Sequence, residues 1–121
     1  MQCRHANHAL LPSLIPHEDP RGGWGPSFRR DSQDRQDRLE SLLAAAANLG
    51  KIDVAEAKRM LADRAGAGFP ICSHVGEAEI STTAAYIVDL SQAMLWVAIG
   101  PPDSNNFVRY SFQDEITSSK L

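Results

Sequence analysis

Cysteine is nearly absent from this sequence, with Cys3 and Cys72 its only two. They can form one disulfide at most, which excludes a disulfide-stapled scaffold and leaves a reducing, cytoplasmic setting as the expectation. Neither stands at zinc-site spacing from His5, His8, His17 or His74, so no metal is expected. A basic excess is missing as well. Twelve Lys and Arg against fifteen Asp and Glu leave a formal net charge of −3, which argues against nucleic-acid and anionic-membrane partners. The densest basic stretch, Arg29, Arg30, Arg35 and Arg38, is interleaved with Asp31, Asp34 and Asp37. That pattern suits a solvated helix face better than a phosphate track. No run of eighteen apolar residues occurs, so no membrane-spanning helix is expected. The opening residues, MQCRHANH, lack the apolar stretch of a signal peptide.

What is present is ordinary for a globular domain. Hydrophobic residues make up 43% of the 121 positions and charged residues 22%, enough for one domain with its own core. Residues 1–30 read as irregular, because Pro12, Pro16, Pro20 and Pro26, with Gly22, Gly23 and Gly25, break any periodic pattern. Within them Ala6, Leu10 and Leu11 suit a short strand or turn over residues 3–11. Residues 31–66 read as a helical pair. The first helix is expected to start near Asp31 or Ser32 as N-cap, with Leu39, Leu42, Leu43, Ala46 and Leu49 as its buried stripe and Gly50 as its stop. The second has a capping box, Asp53 followed three residues later by Glu56. Its apolar face is Val54, Ala57, Met60 and Leu61, and Gly66 or Gly68 is expected to stop it.

Residues 69–112 read as antiparallel strands. Two runs, 80–90 and 94–99, are rich in the branched and aromatic residues that suit a pleated surface. In the first, Ile80, Ala84, Tyr86, Val88 and Leu90 point one way while Ala85 and Ile87 point the other. Neither face is polar, which predicts a hairpin buried on both sides with residues 90–93 as its connection. Two helices can cover one face; the cover for the other is not evident. Pro101-Pro102 then turns the chain, residues 107–112 supply a third strand, and residues 113–121 form a polar tail. The class is α+β.

Three constellations have chemical potential. In Asn7-His8, an amide can donate to a developing oxyanion and an imidazole can act as base. Arg35 and Arg38 share one side of a helix, where an Arg can clamp a carboxylate. In Cys72-Ser73-His74, strand geometry puts thiol and imidazole on one face, within reach of a thiolate–imidazole pair. Taken singly, the commoner readings are a turn Asn beside a surface His, solvated charges, and a buried structural Cys.

In this order they resemble one family. The run Ile71-Cys72-Ser73-His74, then Thr82-Thr83-Ala84-Ala85-Tyr86-Ile87-Val88-Asp89-Leu90, then Leu95-Trp96-Val97-Ala98-Ile99-Gly100-Pro101-Pro102 is similar to the C-terminal part of the isopenicillin N acyltransferase-like cysteine hydrolases. These are also described as acyl-coenzyme A:aminopenicillanic acid acyltransferase-like. The likeness spans roughly residues 5–112. It departs at Asp103, where the family pattern has a Cys after Gly-Pro-Pro, a difference expected to concern packing more than chemistry.

The resemblance implies part of an αββα N-terminal-nucleophile (Ntn) hydrolase sandwich, in which two helices, a hairpin and a third strand belong to one side of two facing sheets. The second sheet would then cover the face left bare. It implies acyl transfer from linear amides or thioesters through an acyl-enzyme, with no cofactor and no metal. Asn7 maps to the oxyanion hole and Arg35 to the active-site Arg, with Arg38 the alternative. The nucleophile does not map. The family Cys lies far upstream of the Asn-His segment, whereas Cys3 is only four residues before Asn7 and Cys72 falls in the non-catalytic Ile-Cys-x-His run. The expectation is a C-terminal portion that is inactive alone. Its partners would be a small-molecule amide or acyl-thioester substrate and the missing N-terminal portion. The alternative is a non-catalytic module that associates with a partner or with itself through its uncovered sheet.

Overall fold

The computed structural model describes residues 13–17, 26–48, 50, 52–66, 68–75 and 81–112. They form two compact units. The chain is α+β, with two α-helices and a three-stranded antiparallel sheet. The expected strand or turn over residues 3–11 and the polar tail lie outside the described residues.

The first unit draws on Met1–Gly50 and Arg64–Ile71. A short 3-10 turn, Ile15–His17, precedes helix α1, Pro26–Ala47. The helix begins five residues before the expected Asp31. Pro26 breaks a periodic pattern in sequence, but proline is well tolerated in the first helical turn, where its missing N–H has no intrahelical partner to lose. Asp31 and Ser32 are therefore interior helical residues rather than caps, and both are buried. Leu42 and Ala46 are buried as expected, and the stripe continues toward the N-terminus through Ser32 and Gln36. Its polar end escapes a reading based on apolar spacing alone. The helix closes at Ala47, and Gly50, at φ 91°, donates its N–H to the Ala47 carbonyl at 3.2 Å. Residues 64–71 are tied back to α1 by the Phe69 N–H, which donates to the Asp34 carboxylate at 3.2 Å. A Cβ at Gly68 would collide with that same carboxylate, so this approach needs glycine.

The second unit draws on Lys51–Asp63 and Cys72–Leu121. Helix α2, Val54–Leu61, has Asp53 as its N-cap, whose carboxylate accepts the Glu56 N–H at 2.8 Å. Glu56 does not complete the box in return. Its carboxylate is held by the Arg59 guanidinium at 2.5 and 2.9 Å, which also keeps its pKa below the usual range. Met60 is buried, with Val54, Ala57 and Leu61 half-buried on the expected face. The helix stops at Ala62, earlier than Gly66, because Ala62 and Asp63 fold their N–H groups back to the Lys58 and Met60 carbonyls.

Strands β1 (Ala84–Asp89), β2 (Met94–Ile99) and β3 (Val108–Ser111) pair in sequence order. The connection is the expected 90–93. Its first turn is closed by Asp89, whose Oδ1 accepts from the Ser91 N–H, the Ser91 hydroxyl and the Gln92 N–H. Register puts Ile87 opposite Trp96 and Ala85 opposite Ala98 on one face. Helix α2 packs on β1, and Lys58 Nζ sits 3.6 Å above the centroid of the Trp96 ring on that covered side.

Among the described residues nothing packs on the other face, which corrects the expectation of a hairpin buried on both sides. Ala84, Tyr86 and Val88 pair there with Ile99, Val97 and Leu95, which pair onward with Val108 and Tyr110. Every one of these residues is apolar or aromatic. Tyr86 is 70% exposed and Ile99 73%. The alternation of Tyr86 and Val88 against Ala85 and Ile87 holds in the register.

Candidate functional site

The polar chemistry of the second unit gathers where the turn after β2 meets the segment following α2. Gly100 leaves β2 at φ 87°, a backbone state that side-chain-bearing residues rarely adopt. The Ser104 N–H then donates to the Pro101 carbonyl at 3.1 Å, closing a four-residue turn with Asp103 in its third position. Asn105 Nδ2 reinforces it by donating to the same carbonyl at 2.9 Å. Opposite, the Cys72 N–H donates to the Asp63 carbonyl at 3.0 Å, and Ser73 and Thr82 exchange two hydrogen bonds at 2.9 and 3.1 Å. Residues 72–74 are thus pinned between the end of α2 and the approach to β1.

These two segments bring Cys72, His74 and Asp103 together. The Cys72 thiol donates to Asp103 Oδ1 at 3.4 Å, and His74 Nε2 lies 2.8 and 2.9 Å from the two carboxylate oxygens. The Ser104 hydroxyl donates to Oδ1 at 3.0 Å. Desolvation pushes the Asp103 carboxyl up, but the hydrogen bonds from His74, Cys72 and Ser104 together outweigh it and hold the pKa at about 2. Cys72 is a free thiol and wholly buried, while the His74 and Asp103 side chains keep 29% and 21% of their surface.

The order of groups is therefore Cys–Asp–His. An activated nucleophile needs its base in direct contact, with the carboxylate behind the imidazole. Here the carboxylate stands between thiol and imidazole, so no thiolate–imidazole pair forms, and Cys72 is buried beside a half-exposed His74, the commoner of the two readings. Residues 72–74 do lie together as anticipated, but Asp103 takes both side chains. Asp103, expected to bear on packing more than chemistry, is the hub of the cluster. No spacing rule connects positions 74 and 103; the one signal was an Asp standing where the resembling family has a Cys.

Arg35 lies in the third turn of α1, since the helix starts at Pro26, and not near its N-terminus as expected. Its Nε donates to Asp31 Oδ1 at 2.8 Å, one helical turn away. Arg38, half-buried, follows on the same helix. Both belong to the first unit and the Cys72–His74–Asp103 cluster to the second. Asn7 and Cys3 lie outside the described residues. Among the described residues no helix is long and apolar enough to cross a membrane. Comparison with protein-family models, curated proteins and solved structures finds no match to this chain.

Proposed function

We propose that this chain is the C-terminal portion of a cysteine Ntn hydrolase acting on linear amides, as amidohydrolase or N-acyltransferase through an acyl-enzyme. The observation that carries the reading is the uncovered sheet face, lined in register by Tyr86, Val88, Leu95, Val97, Ile99, Val108 and Tyr110. In an αββα sandwich one face of each sheet meets helices and the other meets the second sheet, with both inner faces apolar. Here α2 lies against one face, and the other is apolar and exposed, with no described element packed on it. In this reading Asn7 lines the oxyanion hole. Arg35, with Arg38 as the alternative, exchanges its carboxylate partner Asp31 for substrate. The nucleophile comes from the upstream portion. Cys72 is a poor candidate for it, being wholly buried and committed to Asp103. The substrate is a small-molecule amide or acyl-thioester, with no role for nucleic acid, membrane or cofactor in the acyl transfer. The free Cys72 thiol fits a reducing, cytoplasmic compartment.

Assays on a panel of N-acyl amides and acyl-thioesters test this directly. The 121-residue chain alone is expected to be inert. Joined to upstream coding sequence that supplies an in-frame Gly-Cys, it is expected to turn over amides. Asn7→Ala in the joined protein should lower kcat by about 10²-fold, as loss of one oxyanion donor does. Hydrolysis by the chain alone that vanishes in Cys3→Ala or Cys72→Ala overturns the reading.

The same face supports a second reading, a non-catalytic module that associates through its sheet. Sedimentation of the chain should then show a defined oligomer that Val97→Lys or Tyr110→Lys converts to monomer without loss of helix or sheet signal. A sharply melting monomer counts against both readings.

A further inference from the structure

We propose that Cys72, His74 and Asp103 form a binding site for a divalent transition-metal ion, Zn²⁺ in preference to Mg²⁺ or Ca²⁺. The inference stands on the second unit alone and holds whether or not the chain is part of a hydrolase. The three ligand atoms, Cys72 Sγ, His74 Nε2 and a carboxylate oxygen of Asp103, all lie within 4.8 Å of one another. Tetrahedral Zn²⁺ with ordinary bond lengths spaces such atoms about 3.4–3.6 Å apart. Cys72 Sγ and Asp103 Oδ1 are already 3.4 Å apart, while His74 Nε2 and Oδ1, at 2.8 Å, need to open by about 0.6 Å. A set of one sulfur, one nitrogen and one oxygen suits a borderline-soft ion, whereas Mg²⁺ and Ca²⁺ take oxygen ligands throughout.

The surroundings favour the same conclusion. The Cys72 and Asp103 segments are each held by their own backbone bonds, to Asp63, Thr82 and Pro101, so the ligands are positioned before any ion arrives. The partly exposed His74 and Asp103 side chains give the ion a way in, and the buried Cys72 closes the far side. On binding, the Cys72 S–H and His74 Nε2–H bonds both break: the thiol proton leaves to solvent, the imidazole proton passes through solvent to Nδ1 and frees the Nε2 lone pair, and metal bonds to Nε2 and oxygen replace the His74–Asp103 hydrogen bond. One thiolate and one carboxylate balance the two charges of the ion, so the metal-bound site is neutral beside Lys58 and Arg59, which line the depression next to Asp103. With three protein ligands, water takes the fourth position. The ion would clip residues 72–74 to the 101–105 turn.

The test is Co²⁺ titration of the reduced, EDTA-dialysed full chain, followed by competition with Zn²⁺. The proposal expects one Co²⁺ per chain, tetrahedral visible bands, a thiolate-to-cobalt charge-transfer band, and displacement by one equivalent of Zn²⁺. Cys72→Ser should abolish the charge-transfer band. Asp103→Asn should keep the band but weaken binding at least about tenfold, and Asp103→Cys should intensify it. The two Asp103 variants alter a partly exposed position, so they keep the test decisive if the buried Cys72 variant fails to fold. A Cys3→Ser, His5→Ala, His8→Ala variant should bind as the parent does. The absence of saturable binding, a band that persists in Cys72→Ser, or affinity and spectrum untouched by both Asp103 substitutions overturns the proposal. The cluster is then a hydrogen-bonded Cys–Asp–His group only.

Discussion

Asp103 accepts hydrogen bonds from Cys72, His74 and Ser104 on one carboxylate, and the metal-free protein should register this in its acid stability. Its folded pKa of about 2 lies below the ordinary 3.8. A depressed carboxyl stabilises the fold above its unfolded pKa and loses that contribution as pH falls through the folded value. Thermal melts of the chain and of Asp103→Asn should therefore differ by a constant margin above about pH 4, the unfolded range of the carboxyl. They should converge as pH drops toward 2. A margin that stays level down to pH 2 would show the carboxylate to be unperturbed. Gln36 poses a different residue-scale question. Its Nε2 donates to Glu40 at 2.8 Å, but its buried Oε1 accepts no bond among the described residues. An orphaned buried acceptor costs about 1–3 kcal/mol. Gln36→Leu should leave stability unchanged or raise it by about 1 kcal/mol in urea melts.

At the scale of elements, local chemistry was legible where one residue decides the outcome. Asp53 before Val54 is such a case, since a β-region cap whose carboxylate takes the Glu56 N–H starts a helix almost regardless of context. Asp53→Ala should cost about 1 kcal/mol, measured by urea unfolding of the helical signal. Strand β2 was equally plain from its branched and aromatic run. Helix α1 was not, because Pro26 sends two opposite signals. It ends a helix that would reach it from upstream and suits one that begins at it. The 64–71 segment was opaque for another reason: its anchor, Asp34, lies 35 positions away from Phe69. A double-mutant cycle checks that anchor. Gly68→Ala should destabilise by about 1–3 kcal/mol through overpacking against Asp34, and Asp34→Ala should relieve part of that cost. Additive effects would show the two residues not to be in contact.

For the whole molecule, alternation along 84–90 placed Tyr86 and Val88 on one face and Ala85 and Ile87 on the other, and the register agrees. What alternation does not carry is whether anything lies against a given face. That depends on the supply of covering elements and not on the strand itself. The Cys72–His74–Asp103 cluster was half legible in the same sense. Cys72 and His74 announce themselves two residues apart, but the third member arrives only once the hairpin has folded back.

The interleaving of the two units has a consequence for synthesis. The chain enters the second unit at Lys51, leaves it at Arg64 and returns at Cys72. Helix α2 therefore leaves the ribosome before the first unit has its last segment and well before β1 exists to receive it. Eight residues are too few to stay helical in water unaided. Growth of the nascent chain then proceeds out of step with closure. The first unit can complete once Ile71 is free, while α2 waits as coil until the hairpin emerges and gives its apolar face somewhere to dock.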